Sequence, residues 1–113
     1  MTEKTRILVI DDDRGHAETL AEVIEGEGYQ CKVALSGTAG AEEIDKGDFD
    51  LVITDLVMHD LSGLDILRKV KARSPDCPVI MLTGTGSEDV AVEAMKAGLD
   101  DYVLKSPRHR VRL

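Results

Sequence analysis

Strand-like and helix-like segments alternate along these 113 residues from one end to the other. Residues 7–10, Ile-Leu-Val-Ile, are a short apolar, β-branched run. Ala17, Leu20, Ala21 and Ile24 then recur at helical spacing, and Gly26 and Gly28 stop that helix. Residues 29–34 alternate, with Tyr29, Cys31 and Val33 apolar and Gln30 and Lys32 polar, as on an edge strand. Ser36 is placed to cap a second helix running to Lys46, with Ala41 and Ile44 inward and Gly47 as its stop. A third strand, 51–53, precedes a helix marked by Leu64, Leu67 and Val70 and closed by Ser74-Pro75. A fourth strand, 79–82, precedes a helix capped by Ser87, with Glu88 and Asp89 in the first turn, where the helix dipole favours acids. Its expected inner face is Val90, Ala91, Ala94 and Met95, and Gly98 is the stop. Residues 102–104 form a fifth strand.

Strands separated by helices pair in parallel through right-handed crossovers. The first, third and fourth runs are apolar on both faces, as strands in the middle of such a sheet are. The expected fold class is therefore α/β, a three-layer α/β/α sandwich in one domain spanning 1–113. Ser106-Pro107 reads as a further helix start, with only 108–113 after it. An average helix is about 11–12 residues. The last helix is thus expected to be cut short and the chain to be a fragment of a longer protein.

With 14 Lys and Arg against 22 Asp and Glu, the net charge of −8 argues against direct nucleic-acid binding. No apolar run approaches the roughly 20 residues that span a bilayer, and residues 1–6 are too polar for a signal peptide. Cys31 and Cys77 make neither a disulfide framework nor a metal site, so reduced thiols and a cytoplasmic setting are expected.

In open parallel sheets ligands bind beyond the carboxyl ends of the strands. After the first strand come Asp11, Asp12 and Asp13; after the third, Thr54-Asp55; after the fourth, Thr83-Gly84-Thr85-Gly86; after the fifth, Lys105. Crowded carboxylates resist joint ionisation without a cation. Mg²⁺, which takes oxygen ligands, suits them. A carboxylate beside Mg²⁺ can act as a nucleophile and form an aspartyl phosphate. Lys105 and the Thr83 hydroxyl then supply the cation and donor that phosphoryl oxygens need. Each residue also has a plainer reading. Asp11 to Asp13 can be a helix cap with first-turn acids, and Asp13 is read that way. Asp55 can be a turn residue, Thr83 a satisfied hydroxyl, and Lys105 a solvated lysine. Their placement together at one sheet end is what favours chemistry.

Five segments carry a family resemblance: ILVIDDD (7–13), DLVITDLVM (50–58), LSGLDIL (61–67), VIMLTG (79–84) and AGLDDYVLK (97–105). In this order and spacing the chain resembles the receiver domains of bacterial two-component systems. The resemblance implies a flavodoxin-like fold with strand order 2-1-3-4-5. It implies that Asp55 is the phosphoacceptor and that Asp11, Asp12, Asp55 and the Val57 backbone carbonyl hold Mg²⁺. It implies phosphate-binding and switch roles for Thr83, Lys105 and Tyr102, and rate tuning by Val57 and Thr85. The implied partners are a histidine kinase or phosphotransfer protein and an effector domain or downstream protein, reached through a face of helix 4, strand 5 and helix 5. A phosphorylation-dependent homodimer is also possible on this resemblance, with no membrane contact. Such a domain is a signalling switch rather than an enzyme for an outside substrate.

Two positions depart from the family. His59 stands four residues after Asp55, where the family usually has proline. Lys105-Ser106-Pro107 replaces Lys-Pro, which leaves a cis bond at Lys105–Ser106 open, since a non-proline cis bond costs about 2.5–4 kcal/mol. His59 itself reads as a surface loop residue, His16 as solvent-facing, and Arg108, Arg110 and Arg112 as a solvated face. Asp11-x-Asp13 is also similar to the nucleophile motif of haloacid-dehalogenase-type phosphatases, but that family needs a longer chain and leaves Asp55 unexplained. An FMN module is disfavoured by the acidic first loop and by the three aromatic residues, two Tyr and one Phe. A docking module without phosphorylation is the remaining alternative, discriminated by whether Asp55 takes phosphate.

Overall fold

The computed structural model describes residues 4–84 and 88–105. Within them lie β1 (Arg6–Ile10), α1 (Arg14–Gly26), β2 (Gln30–Ala34), α2 (Gly37–Lys46), β3 (Leu51–Asp55), α3 (Gly63–Arg73), β4 (Val79–Thr83), α4 (Glu88–Lys96) and β5 (Asp101–Leu104). All strand pairs are parallel, in the order β2-β1-β3-β4-β5. The expected fold class and strand order therefore hold. The cap at Ser87, the tuning residue Thr85, the Lys105–Ser106 bond and the last helix with its arginines lie outside the described residues.

The apolar runs became central strands because both of their faces are covered. Along β1 the pleat sends Leu8 and Ile10 to one side and Ile7 and Val9 to the other, and all four are buried. On the first side α2, α3 and α4 lay down Ile44, Ile66, Leu67, Val70 and Ala94 against Val52, Val79 and Met81. On the second side α1 packs Ala17 and Ile24 against Ile7 and Val9. Burying such side chains contributes about 1.5–3 kcal/mol each.

The helix starts follow the capping residues. Asp13 Oδ1 accepts the His16 N–H at 3.1 Å, which bears out the cap reading. Ser36 Oγ accepts the Ala39 N–H at 3.0 Å. Ser62 and Asp65 form a reciprocal capping box on α3. Gly98, at φ 103°, makes the left-handed turn that releases α4 into β5.

Two inner faces differ from the sequence reading. In α3, Ile66 is fully buried alongside Leu67 and Val70, because the helix packs against both the sheet and the neighbouring α2 and needs a wider apolar stripe. In α4, Met95 is half-exposed and Ala94 alone is fully buried, because this nine-residue helix meets the core through a narrow stripe. No helix among the described residues is long and apolar enough to cross a membrane.

Candidate functional site

Parallel register brings the strand ends level. Ile10 pairs with Thr54, Asp55 with Leu82, and Thr83 with Leu104. Asp11 therefore follows β1 at the same height as Asp55 at the end of β3, Thr83 at the end of β4 and Lys105 just past β5. Backbone bonds lock this edge: the Asp11 N–H donates to the Ala34 carbonyl, Leu56 to Leu82 and Lys105 to Thr83.

Asp11, Asp12 and Asp55 each present a carboxylate oxygen within 4.8 Å of the others. The Lys105 ammonium stands between two of them, donating to Asp11 Oδ2 at 2.9 Å and lying 3.4 Å from Asp55 Oδ2. Asp11 is buried, and its Oδ2 also accepts from His16 Nδ1 at 2.7 Å while Oδ1 accepts the Asp13 N–H at 3.0 Å. Asp55 Oδ1 accepts the Leu56 N–H at 2.8 Å, and Thr54 Oγ1 donates to the Asp55 carbonyl at 2.9 Å. Three clustered carboxylates with one ammonium fit a small hard cation, which takes oxygen ligands and is drawn to uncompensated negative charge.

The charges are unequal. Burial pushes the Asp55 carboxyl up; Lys105 opposes this and Asp11 adds to it, leaving Asp55 above the ordinary carboxylate value. Burial acts upward on Asp11 too, but the Asp13 N–H, Lys105 and His16 outweigh it and hold Asp11 low. Lys105 loses by burial and gains more from Asp11 and Asp55, so its ammonium is held more firmly than usual. Asp11 thus stays charged as the anchor for Lys105, and of these two carboxylates Asp55 has the less fully engaged oxygen, Oδ2 at 3.4 Å from Lys105.

The remaining expected residues fall as follows. Thr83 is buried at the strand end. Val57 is exposed beside the cluster, on the loop after β3. Tyr102 is half-buried and packs against the main core, and its hydroxyl is buried without a hydrogen-bond partner among the described residues. Asp13 is occupied as a cap and stands outside the acidic triad.

Sequence reasoning passed over two histidines. His16, expected to face solvent, is bonded to Asp11, because a first-turn residue of α1 leans back toward the end of β1. His59 is as exposed as expected, yet its Nδ1 lies 2.6 Å from Asp12 Oδ2. Asp60 was also missed: Oδ1 accepts the Gly37 N–H at 2.9 Å and Oδ2 the Thr38 N–H at 2.8 Å, so the loop after β3 caps α2 from outside. Gly63 brings the start of α3 against the end of β3, with its N–H on the Leu56 carbonyl at 2.8 Å.

Comparison with known proteins places the chain among relatives of one family and fold. The transcriptional regulatory protein ZraR of Klebsiella oxytoca is 38% identical over 103 residues, which is 91% of this chain and 23% of that protein. The chain thus spans under a quarter of that relative's length. A response regulator protein from Burkholderia pseudomallei, solved with a phosphorylated aspartic acid, a calcium ion and citrate, matches at TM-score 0.85 and 30% identity over 96% of this chain and 64% of that one. The response regulator protein TrrA from Thermotoga maritima, in complex with Mg²⁺ and BeF, matches at TM-score 0.81 and 32% identity over 96% and 93%. The family model for the response regulator receiver domain covers residues 7–111, and the chain belongs to that family.

Proposed function

We propose that this receiver domain works as a phosphorylation switch with Asp55 as its phosphoacceptor. The observation that carries the reading is the single ammonium of Lys105 shared between Asp11 Oδ2 and Asp55 Oδ2 inside a triad of carboxylates. Asp11, Asp12, Asp55 and the Val57 carbonyl are the groups that would hold Mg²⁺. When bound, Mg²⁺ supplies positive charge to the phosphoryl oxygens.

In the proposed reaction a histidine kinase or phosphotransfer protein presents a phosphohistidine at the open sheet end. An Asp55 carboxylate oxygen attacks phosphorus, an O–P bond forms, the P–N bond breaks, and the electron pair leaves on the imidazole nitrogen. The new group brings a charge of about −1.5 to −2. Lys105, already 3.4 Å from Asp55, turns from Asp11 toward it, and the Thr83 hydroxyl donates to a phosphoryl oxygen. Thr83 movement opens space behind β4, and the Tyr102 ring, already packed against the core with its hydroxyl buried, shifts further into it. The surface of α4 and β5, where Val92, Met95, Val103 and Leu104 are exposed, then changes its affinity for an effector domain, a downstream protein or a second copy. Val57 and Thr85 would set how readily water reaches the acyl phosphate. The setting proposed is the cytoplasm.

The phosphatase-like alternative makes Asp11 the nucleophile. Asp11 is buried, with Oδ2 already accepting from Lys105 and His16 and Oδ1 from the Asp13 N–H, whereas Asp55 Oδ2 has only Lys105 at 3.4 Å, so Asp55 is the better placed of the two to attack. The test is incubation with acetyl phosphate and Mg²⁺, read by intact mass beside Asp55→Asn. One base-labile phosphoryl group on the wild type, missing from the variant and missing without Mg²⁺, is the expected result. Phosphate on Asp11 would move the assignment to the phosphatase reading, and no modification by a cognate kinase either would leave a docking module.

A further inference from the structure

His59 occupies the place where the family usually has proline, and it does something proline cannot. Its backbone N–H and its ring Nδ1 both converge on Asp12 Oδ2, at 3.2 and 2.6 Å, across 47 residues of sequence. A carboxylate only accepts hydrogen bonds, so Nδ1 carries the proton in this pair. Two donors on one oxygen fix the plane of the Asp12 carboxylate. The next residue, Asp60, pins the same loop to the N–H groups of Gly37 and Thr38 at the start of α2. His59 therefore reaches Asp12 from a loop that is itself anchored. The imidazole stands outside the triad of oxygens formed by Asp11, Asp12 and Asp55, so it orients a ligand rather than joining the ligand set.

We propose that His59 is a positioning residue that sets Asp12 for Mg²⁺ and thereby favours Mg²⁺ over Ca²⁺. This rests on the reading of Asp12 as a metal ligand. The selectivity follows from the two ions' coordination. Mg²⁺ demands near-ideal octahedral geometry, whereas Ca²⁺ accepts a flexible shell. A carboxylate released from its outer partners swings through a wider range of angles. That freedom weakens the ion with strict geometry and matters little to the tolerant one. Outer-shell partners of metal ligands are typically worth 10–100-fold in affinity. His59 is 96% exposed, so the low end, about tenfold, is expected.

The experiment is calorimetric titration of MgCl₂ and of CaCl₂ into the wild type, His59→Ala, His59→Asn, His59→Pro and Asp12→Asn. His59→Ala should bind Mg²⁺ about tenfold more weakly and Ca²⁺ nearly as well as the wild type, with an unchanged melting temperature. His59→Asn keeps an N–H donor close to the position of Nδ1 and should restore Mg²⁺ binding. His59→Pro loses the backbone donor as well and should be at least as weak as His59→Ala. Equal loss of both ions in His59→Ala, or failure of His59→Asn to restore Mg²⁺, would overturn the positioning role. If His59→Ala binds Mg²⁺ like the wild type while Asp12→Asn does not, the positioning role fails and Asp12 stands as a ligand. If Asp12→Asn also binds Mg²⁺ unchanged, the reading beneath the inference fails with it.

Discussion

Gly63, the first residue of α3, lies against the backbone of Asp55, the proposed phosphoacceptor, and Gly63→Ala tests how tightly that contact holds Asp55. A Cβ built there would sit 2.5 Å from the Asp55 carbonyl oxygen, 3.0 Å from Leu56 Cα and 3.2 Å from Met81 Cε. Met81 Cε is the end of a flexible side chain and can turn away. The other two atoms are backbone, and no rotamer change relieves them. Reaching ordinary contact at 3.4 Å requires the start of α3 and the end of β3 to part by about 0.9 Å. Overpacking of this kind costs about 1–3 kcal/mol, against a gain of at most about 1 kcal/mol from alanine's better helix propensity. At about 4 °C per kcal/mol for a domain of this size, the melting temperature should fall by about 4–12 °C before that offset. The displacement also shifts Asp55 relative to Lys105, which is now 3.4 Å from its carboxylate. A misplacement near 1 Å can cost about 100-fold in rate, so the phosphorylation rate at saturating Mg²⁺ should drop about 10- to 100-fold. Circular dichroism melts and time-resolved intact mass read the two effects. Gly26→Ala is the control: nothing lies within 4 Å of its Cβ and its φ is not positive, so it should be neutral or stabilising by about 0.4–1 kcal/mol. A Gly63→Ala protein as stable and as reactive as the wild type would refute the claim that this contact sets the position of Asp55.

Asp100 Oδ2 accepts the Val79 N–H at 2.8 Å and lies 3.2 Å from Lys71 Nζ, and the Val79 bond is the main reason its carboxyl is held below 3.8. Asp100→Ala leaves the N–H of a buried residue unpaired and should cost about 1–3 kcal/mol in urea unfolding at neutral pH. Because the folded value is depressed, the wild type's advantage is complete above pH 3.8 and is lost as pH falls through the lower, folded value, so the gap between the two proteins should narrow below pH 3.8; a gap unchanged down to pH 2 would contradict this. Tyr102→Phe removes a buried hydroxyl that has no partner among the described residues, and should be neutral or stabilising by up to about 1 kcal/mol, with a loss above 1 kcal/mol in urea unfolding counting against the assignment.

The fold was legible because burial on both faces of β1 leaves a signal of one kind, an unbroken apolar run, and because Asp13 and Ser36 mark where helices begin. The site was legible at the level of place. Acids and a lysine after successive strands must share one sheet edge once the strands pair in parallel, and Asp11, Asp55 and Lys105 do. What the pattern does not encode is which oxygen each group takes. His59 meets Asp12 across 47 residues, and Asp60 meets Gly37 across 23. Both contacts arise because the loop after β3 crosses between the starts of α1 and α2, a path set by loop conformation rather than by periodicity. The inward face of α4 was misjudged at Met95 for a related reason. Val90, Ala91, Ala94 and Met95 match a helical stripe, but a stripe gives an arc of surface, and the depth of core available beneath it decides how much of the arc is covered. Beneath α4 only Ala94 is fully enclosed. The same distinction separates the two histidines from the acids. A carboxylate cluster is forced by topology and carries its own electrostatic signature, whereas an imidazole that merely orients one member of it is visible only when the loop's path is known. Residues that tune this site are therefore expected among loop positions that break the family pattern, and His59 is the one here whose atoms reach a member of the triad.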